Sequence, residues 1–197
     1  MKTGGIILGI IIVLIGGFFA FNSFIYNEKQ GPGEETVTVT SPEFGLSFTY
    51  RENPYGYRLE EVAPSAEGDQ DLQKVYVLLL QEDYEALQNA DVPREGPPTI
   101  NIAVYAKTDE RSPDEWLAEH PLVVNLDLVT SGMYPVTVGG VSGLRFTSDG
   151  LYATENVLVQ HGDFMFHFTG QSIDRESLLA NDFEALLKAV AFLERGA

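Results

Sequence analysis

Residues 134–169 read YPVTVGGVSGLRFTSDGLYATENVLVQHGDFMFHFT, and this stretch decides the fold. Short segments of strand character alternate here with Gly139-Gly140, Asp149-Gly150 and His161-Gly162-Asp163. Gly-Gly and Asp-Gly pairs are typical of two-residue hairpin turns, and hairpins join antiparallel neighbours. The stretch therefore predicts four consecutive antiparallel strands over 134–138, 141–147, 151–160 and 164–169.

Further strands are predicted upstream of this stretch. Alternating or continuous apolar residues occur in segments of strand length. The segment 75–80 (VYVLLL) is continuously apolar, which is typical of a strand covered on both faces. The other predicted strands are 36–40, 44–50, 55–62 and 99–105.

Helices are predicted at three places. A brief helix is expected over 82–89. Ser112 as N-cap, Pro113 at the first helical position and Glu115 three residues after the cap form a capping-box pattern, and that helix should stop by Glu119. Residues 175–193 are amphipathic with helical spacing, and Asp174 is the candidate N-cap. Strands joined by hairpins and covered by helices predict an α+β fold built on a twisted antiparallel sheet.

The N-terminal segment has a different character. Residues 4–25 carry no charged side chain, and about 22 helical residues rise roughly 33 Å, which matches a bilayer core about 30 Å thick. Lys2 precedes the segment and acidic residues follow it, so the positive-inside bias predicts a cytoplasmic N-terminus. A single-pass transmembrane anchor with an extracytoplasmic domain is the favoured interpretation.

Other interpretations of this segment fit its sequence less well. A cleaved signal peptide fits poorly because Phe18, Phe19 and Phe21 surround the candidate cleavage site. A pilin-type helix would carry an early acidic residue, and a buried core helix would be shorter. Gly5 and Gly9 form a G-x-x-x-G spacing, which favours helix packing in membranes but is also common there without it.

Composition excludes several classes of function. The chain has 12 Lys+Arg and 29 Asp+Glu, giving a net charge of −17. Such a chain repels nucleic-acid phosphates, so nucleic acid is not expected as a partner. The absence of cysteine excludes disulfides, thiolate metal sites and a cysteine nucleophile. A domain of about 150 residues can nevertheless be stabilised by its core alone.

The order of the elements resembles that of a known family. The segments FGLSFTY (44–50), GPPTINIAVY (96–105), SPDEWL (112–117), VTVGGVSGLRF (136–146) and FEALLKAVAFL (183–193) together resemble PsbP-type domains, especially bacterial membrane-anchored PsbP-related proteins. The resemblance spans about residues 41–193 and implies an α/β/α sandwich. Plant PsbP is a soluble photosystem II subunit that helps retain calcium and chloride. No functional residue of that family maps onto a numbered position here, so the photosynthetic role does not carry over.

Candidate chemical groups are few. His120, His161 and His167 are too dispersed along the sequence to predict a metal site, and structural roles are favoured for them. His167 alternates with Phe164, Phe166 and Phe168 and should point away from their face. These phenylalanines are interpreted as core.

Serine and carboxylate patterns are also weak. Residues 140–144 (GVSGL) lack the second glycine of the nucleophile-elbow motif, and they lie in a predicted hairpin rather than in a strand-to-helix turn. Glu67, Asp69 and Asp71 alternate but fail the spacing of a calcium loop. The pairs Glu60-Glu61 and Asp109-Glu110 carry no weight in so acidic a chain.

These observations lead to one set of expectations. Residues 1–26 form a transmembrane anchor, 27–40 a linker with a candidate first strand, and 41–197 a PsbP-like globular domain. No catalytic residue, cofactor site or metal site is assigned. The expected function is non-enzymatic binding, with membrane lipid contacting the N-terminal helix and a protein or small ligand contacting the domain. A cation-binding accessory domain and a carboxylate-dependent hydrolase are the alternatives.

Overall fold

The computed structural model describes residues 35–53, 56–64, 69–89, 95–107, 109, 111–172 and 178–194. The predicted anchor, most of the linker, Glu67, Glu110 and Asp174 lie outside these ranges. The helices are α1 (Gln81–Gln88), α2 (Pro113–Glu119) and α3 (Leu178–Ala189), with a 3-10 helix over Leu126–Leu128. The strands are β1 (Glu35–Ser41), β2 (Leu46–Asn53), β3 (Tyr57–Val62), β4 (Leu72–Leu80), β5 (Ile100–Ala106), β6 (Tyr134–Val138), β7 (Val141–Asp149), β8 (Ala153–His161), β9 (Phe164–Ser172) and β10 (Ala191–Phe192).

The strands form two antiparallel sheets. The larger has the order β3-β4-β5-β9-β8-β7-β6, and the smaller has the order β1-β2-β10. Every pairing within them is antiparallel. The α+β class with an antiparallel sheet is therefore confirmed. In the described part of the chain, no helix is both long and apolar enough to cross a membrane.

A hydrophobic core lies on each face of the large sheet. On one face, Ile102 and Phe168 pack with Phe183 of α3 and Phe48 of β2. On the other face, Tyr105, Leu158 and Met165 pack beneath Trp116 of α2. One outer layer therefore combines α3 with the small sheet, whereas α2 and the segment after it form the other.

Local sequence signals placed most of the β-meander correctly. Gly139 and Gly140 adopt positive φ angles of 56° and 79°, as a type I′ hairpin requires. Gly162 also has a positive φ, between β8 and β9. The predicted two-residue turn at Asp149-Gly150 is wrong: Asp149 pairs with Ala153, which leaves a three-residue loop.

The α2 boundaries also match the prediction. The Ser112 N–H donates to Glu115 Oε2 at 3.0 Å, which forms the backbone half of the capping box. The helix ends at Glu119, and His120 is its C-cap.

Two predicted elements require correction. The last helix ends at Ala189 rather than Leu193, because residues 191–192 extend and pair with β2. The Leu193 N–H donates to the Gly45 carbonyl at 2.8 Å, and the Phe192 ring lies 5.1 Å from that of Phe166. The free edge of β2 thus offers these apolar residues a better partner than another helical turn. Phe44 and Gly45 form the turn before β2 rather than its first residues.

Gly170 sets the spacing between α3 and the sheet. A Cβ on Gly170 would lie 2.5 Å from Phe183 Cγ and 3.0 Å from its Cβ. We therefore expect Gly170→Ala to lower the free energy of unfolding by about 1–3 kcal/mol through overpacking. Urea unfolding followed by the fluorescence of buried Trp116, the single tryptophan, measures this change. Gly132→Ala is the matched control, because a Cβ there meets nothing within 4 Å; equal effects of the two substitutions would contradict this packing.

Candidate functional site

The connection between α2 and β6 runs from His120 to Met133 and contains apolar side chains that point in two directions. Val124 and Val129 pack into the core beneath α2. Leu122 and Leu126 are exposed, Leu122 to 84%. Connections of this length that lack strands or long helices are commonly functional.

Backbone and side-chain hydrogen bonds hold this connection in place. Asn125 Oδ1 accepts from the Asp127 N–H at 3.1 Å and so caps the 3-10 helix. Val129 forms an antiparallel bridge with Ser148, and the Thr130 N–H donates to the Thr147 carbonyl at 2.9 Å. The outward side chains therefore project from a segment anchored along the side of β7.

Leu126, Leu128 and Leu151 form what we call the leucine patch. They are 39%, 43% and 64% exposed. A Cβ on Gly150 would lie 3.8 Å from Leu128 Cδ1, so Leu128 lies against the β7–β8 turn that also carries Leu151. Met133 at the end of the same connection and Tyr134 at the start of β6 are also exposed. Five of the seven exposed large apolar residues in the described part of the chain lie within residues 122–134.

The charges around the leucine patch are negative. No Lys or Arg occurs between Arg111 and Arg145 in the sequence. Asp127 lies between Leu126 and Leu128, and Asp149 lies two residues before Leu151; both are exposed. The patch is therefore an apolar surface with acidic neighbours.

The three histidines occupy separate structural positions. His120 stacks on Trp116 with the ring centroids 4.0 Å apart, and its Nδ1 lies 2.7 Å from the Trp116 carbonyl. His161 stacks on Phe192 with centroids 4.8 Å apart. His167 lies on the α2 face of the sheet, opposite Phe166 and Phe168, as the alternation predicted. Among the described residues, no group of three His, Asp or Glu could hold a metal ion.

His167 belongs to a buried polar network. Its Nε2 lies 3.0 Å from Asn156 Oδ1, and Asn156 Nδ2 donates to Ser148 Oγ at 2.9 Å. Burial lowers the pKa of His167 to about 4, so the ring is neutral at physiological pH and Nε2–H is the donor to Asn156. Because Asn156 separates the histidine from the serine, His167 is not placed to activate Ser148 as a nucleophile.

Most of the candidate carboxylates that the structure describes are engaged in local contacts. Lys107 is buried, and its Nζ lies 2.7 Å from the Asp109 carbonyl and 3.1 Å from Asp109 Oδ1. Arg111 Nε donates to Asp109 at 2.9 Å, and Arg111 also pairs with Glu119. Hydrogen bonds from Arg111, then from Lys107, hold the pKa of Asp109 below its ordinary value.

The fold does not bring the other candidate residues together into one site. Asp71 lies 3.4 Å from His120 Nε2, and Asp69 accepts from the Asp71 N–H. Glu61 pairs with Lys74 at 2.5 Å, and Glu60 with Arg58. Ser142 lies beside Pro113 in a shallow, open recess near the start of α2.

The leucine patch was not predicted from the sequence. Its one available signal is the apolar run around residues 122–129 (LVVNLDLV), which was assigned to no element. The sequence predicts Leu151 as the first residue of a strand, and no sequence pattern links it to Leu128.

Comparison with known proteins adds no relative. No protein-family model matches the chain, and no curated protein matches it either.

His167 makes stability depend on pH. The unfolded histidine has a pKa near 6.5, whereas the folded value is about 4. As the pH falls, the histidine therefore takes up a proton in the unfolded chain before it does so in the folded chain. The stability that is present above pH 6.5 is lost as the pH falls towards 4, and the loss reaches about 3 kcal/mol. We expect His167→Gln to remove this part of the pH dependence in urea unfolding of the full chain.

The matched control for this prediction is His161→Gln, because His161 lies at the end of β8 and is only half-buried. The change in the free energy of unfolding between pH 7.5 and pH 4.5 is compared for the two variants. Both variants keep the same carboxylates, so the contribution of those groups cancels in the comparison. If both variants lose stability in parallel with the unsubstituted protein, the assignment to His167 is wrong.

Proposed function

We propose that the chain is a membrane-anchored, extracytoplasmic, non-enzymatic binding protein that docks a partner protein on the leucine patch. The observation that carries the proposal is the exposed apolar surface of Leu126, Leu128 and Leu151 on a strongly acidic domain. Exposed apolar surface bordered by polar residues is typical of interaction sites.

The partner is a protein that presents apolar side chains flanked by Lys or Arg. Acidic residues border the patch and no basic residue lies near it in the sequence, so basic flanks would supply complementary charge. A second copy of this chain would bring like charges together. Anionic lipid headgroups would be repelled for the same reason.

Membrane anchorage is proposed from the uncharged segment 4–25. A hydrophobic helix of this length is stable in a bilayer, where its backbone hydrogen bonds are satisfied internally. Described structure begins at Glu35, so about ten residues link this segment to β1. The domain would thus be held near the outer membrane surface.

Membership of the PsbP-like group is part of the same proposal. Its support is the order of elements: an opening strand pair, a central antiparallel sheet, a capped helix between β5 and β6, and a long helix after β9. Coverage of the sheet by α3 on one face and α2 on the other agrees with a sandwich arrangement. Fold likeness of this kind supports an architecture rather than an activity.

The membrane topology can be tested with single cysteines, because the chain has none of its own. In intact cells, a membrane-impermeant maleimide should label Gly132→Cys, which lies in open space on the domain. Thr3→Cys should be labelled only after lysis. The protein should also stay in the membrane fraction after carbonate extraction; labelling of both cysteines in intact cells, or release by carbonate, would disprove the anchor.

Docking can be tested by site-specific photocrosslinking. A photoreactive residue at Leu128 should crosslink one protein partner in intact cells, and Leu126→Ser with Leu151→Ser should reduce the yield at least about fivefold, since each buried leucine is worth more than 1 kcal/mol. Leu178, which is 49% exposed on α3, is the matched control position. Raising the salt concentration should weaken the complex.

Other products would contradict this proposal. A crosslinked homodimer would indicate self-association, and a lipid adduct would indicate membrane contact. Equal crosslinking from positions 128 and 178 would show that the patch is not selective.

A further inference from the structure

In the part of the chain that the structure describes, the two sheets end in four edge strands, and three of these edges are protected against pairing. On β6, Pro135 has no N–H to offer to an added strand. The edge strand β3 carries Arg58, Glu60 and Glu61, and β10 is only two residues long. Proline, charged side chains and short length are the usual means by which proteins block the edges of their sheets. The fourth edge, that of β1, lacks them along residues 36–41.

Strand β1 is well suited to pair with another strand. It has seven residues, and the five from Thr36 to Thr40 are all β-branched, which favours strand pairing. Strand β2 occupies one side of β1 in regular register, and no strand of the described residues pairs with the other side. Glu35 is the only charged residue of β1. The free edge therefore offers backbone donors and acceptors with little charge to oppose a partner.

The two faces of β1 have different chemistry. Val37 and Val39 are buried in the core beneath the small sheet. Thr38 and Thr40 lie on the opposite face, where Thr38 Oγ1 is 2.8 Å from Thr49 Oγ1 of β2. A strand that pairs with this edge should therefore present apolar side chains on one face and small polar side chains on the other.

A second β1 meets this requirement. In an antiparallel pair centred on Thr38, each Val37 lies opposite the Val39 of the other strand, so the apolar faces coincide. The two Thr38 side chains lie opposite each other on the hydroxyl face. Each Glu35 lies opposite Ser41, which keeps the two carboxylates at opposite ends of the pair. The edge is therefore complementary to itself.

The membrane anchor proposed above would concentrate copies of this edge. Strand β1 begins about ten residues after the uncharged segment 4–25, so copies in one membrane would hold it at a similar height. We propose that β1 pairs antiparallel with the β1 of a second copy in the same membrane. Two-fold pairing occupies the free edge of both copies, so assembly stops at the dimer. This inference rests on the proposed anchor but is independent of the leucine patch.

The charge of the domain determines how this dimer responds to salt. The net charge of −17 makes two copies repel each other, and salt screens that repulsion. The contact between the β1 strands is made by backbone groups and uncharged side chains, which salt affects little. Raising the salt concentration should therefore favour the dimer, whereas it should weaken the complex at the leucine patch.

Disulfide crosslinking in membranes tests the proposal, because the chain has no cysteine of its own. Mild oxidation of membranes that contain full-length Thr38→Cys should give at least about fivefold more covalent dimer than Thr137→Cys, since opposite residues of paired strands lie within the reach of a disulfide. Thr137 is the matched control, because it is an exposed threonine on the edge strand that Pro135 protects. The yield from Thr38→Cys should rise with salt.

A second pair of variants tests the register. Co-expressed Thr36→Cys and Thr40→Cys copies should form a disulfide-linked heterodimer, because these positions face each other when Thr38 lies opposite Thr38. Either variant alone should give little dimer, since its two cysteines would be too far apart along the strands. This pair also keeps the test informative if Thr38→Cys does not fold.

Each outcome supports or overturns the pairing. Equal yields from positions 38 and 137 in membranes that retain the protein after carbonate extraction would overturn the dimer and leave the anchor intact. As much dimer from Thr36→Cys alone as from the co-expressed pair would also overturn it, because random collision would then explain the crosslinks. Release of the protein by carbonate would instead disprove the anchor and, with it, the dimer that depends on the anchor.

Discussion

The pairing of β9 with β5 and β8 is the constraint on which the rest of the structure depends. Four consecutive residues of β9, from Met165 to Phe168, are buried, and they alternate between two separate cores. A shift of one residue in register would place His167 among the aromatic residues beneath α3 and would move Phe166 to the opposite face. The central strands therefore accept a single register, and both of their faces must be covered.

Coverage of the two faces explains the outer elements. The face of the large sheet beneath α3 is apolar and must be covered by a large apolar surface. Phe183 and Leu186 supply that surface together with Phe48 from the small sheet. The opposite face is only partly apolar, since Asn156 and His167 interrupt it. A short helix centred on Trp116 and the valines of the following connection are enough to cover it. The valines of that connection pack against the core, whereas its leucines stay exposed.

The features that could be predicted from the sequence depend on residues that lie close together in the chain. Gly139-Gly140 specifies its hairpin because both residues need positive φ angles, and Ser112 with Glu115 specifies the start of α2 because the two groups satisfy each other. The end of α3 was not predictable in this way, because the competing partner of residues 191–192 is β2, well over a hundred residues earlier. Candidate sites are harder still to predict from the sequence. The leucine patch joins Leu128 to a turn more than twenty residues later in the chain.

The distribution of charge connects the fold with binding. Several basic side chains of the described domain are engaged internally: Arg51 pairs with Asp182 at 2.7 Å, Lys74 with Glu61, and Arg145 with Glu155. Lys107 is buried altogether. The acidic residues greatly outnumber these cations, so the remaining carboxylates dominate the surface that a partner meets. A field of this sign speeds the approach of a basic partner and repels a second copy of the chain. An uncharged apolar patch within that field offers affinity that salt does not screen. In the proposed complex, the charge would therefore govern the rate of approach, and the leucines would govern the lifetime of the complex.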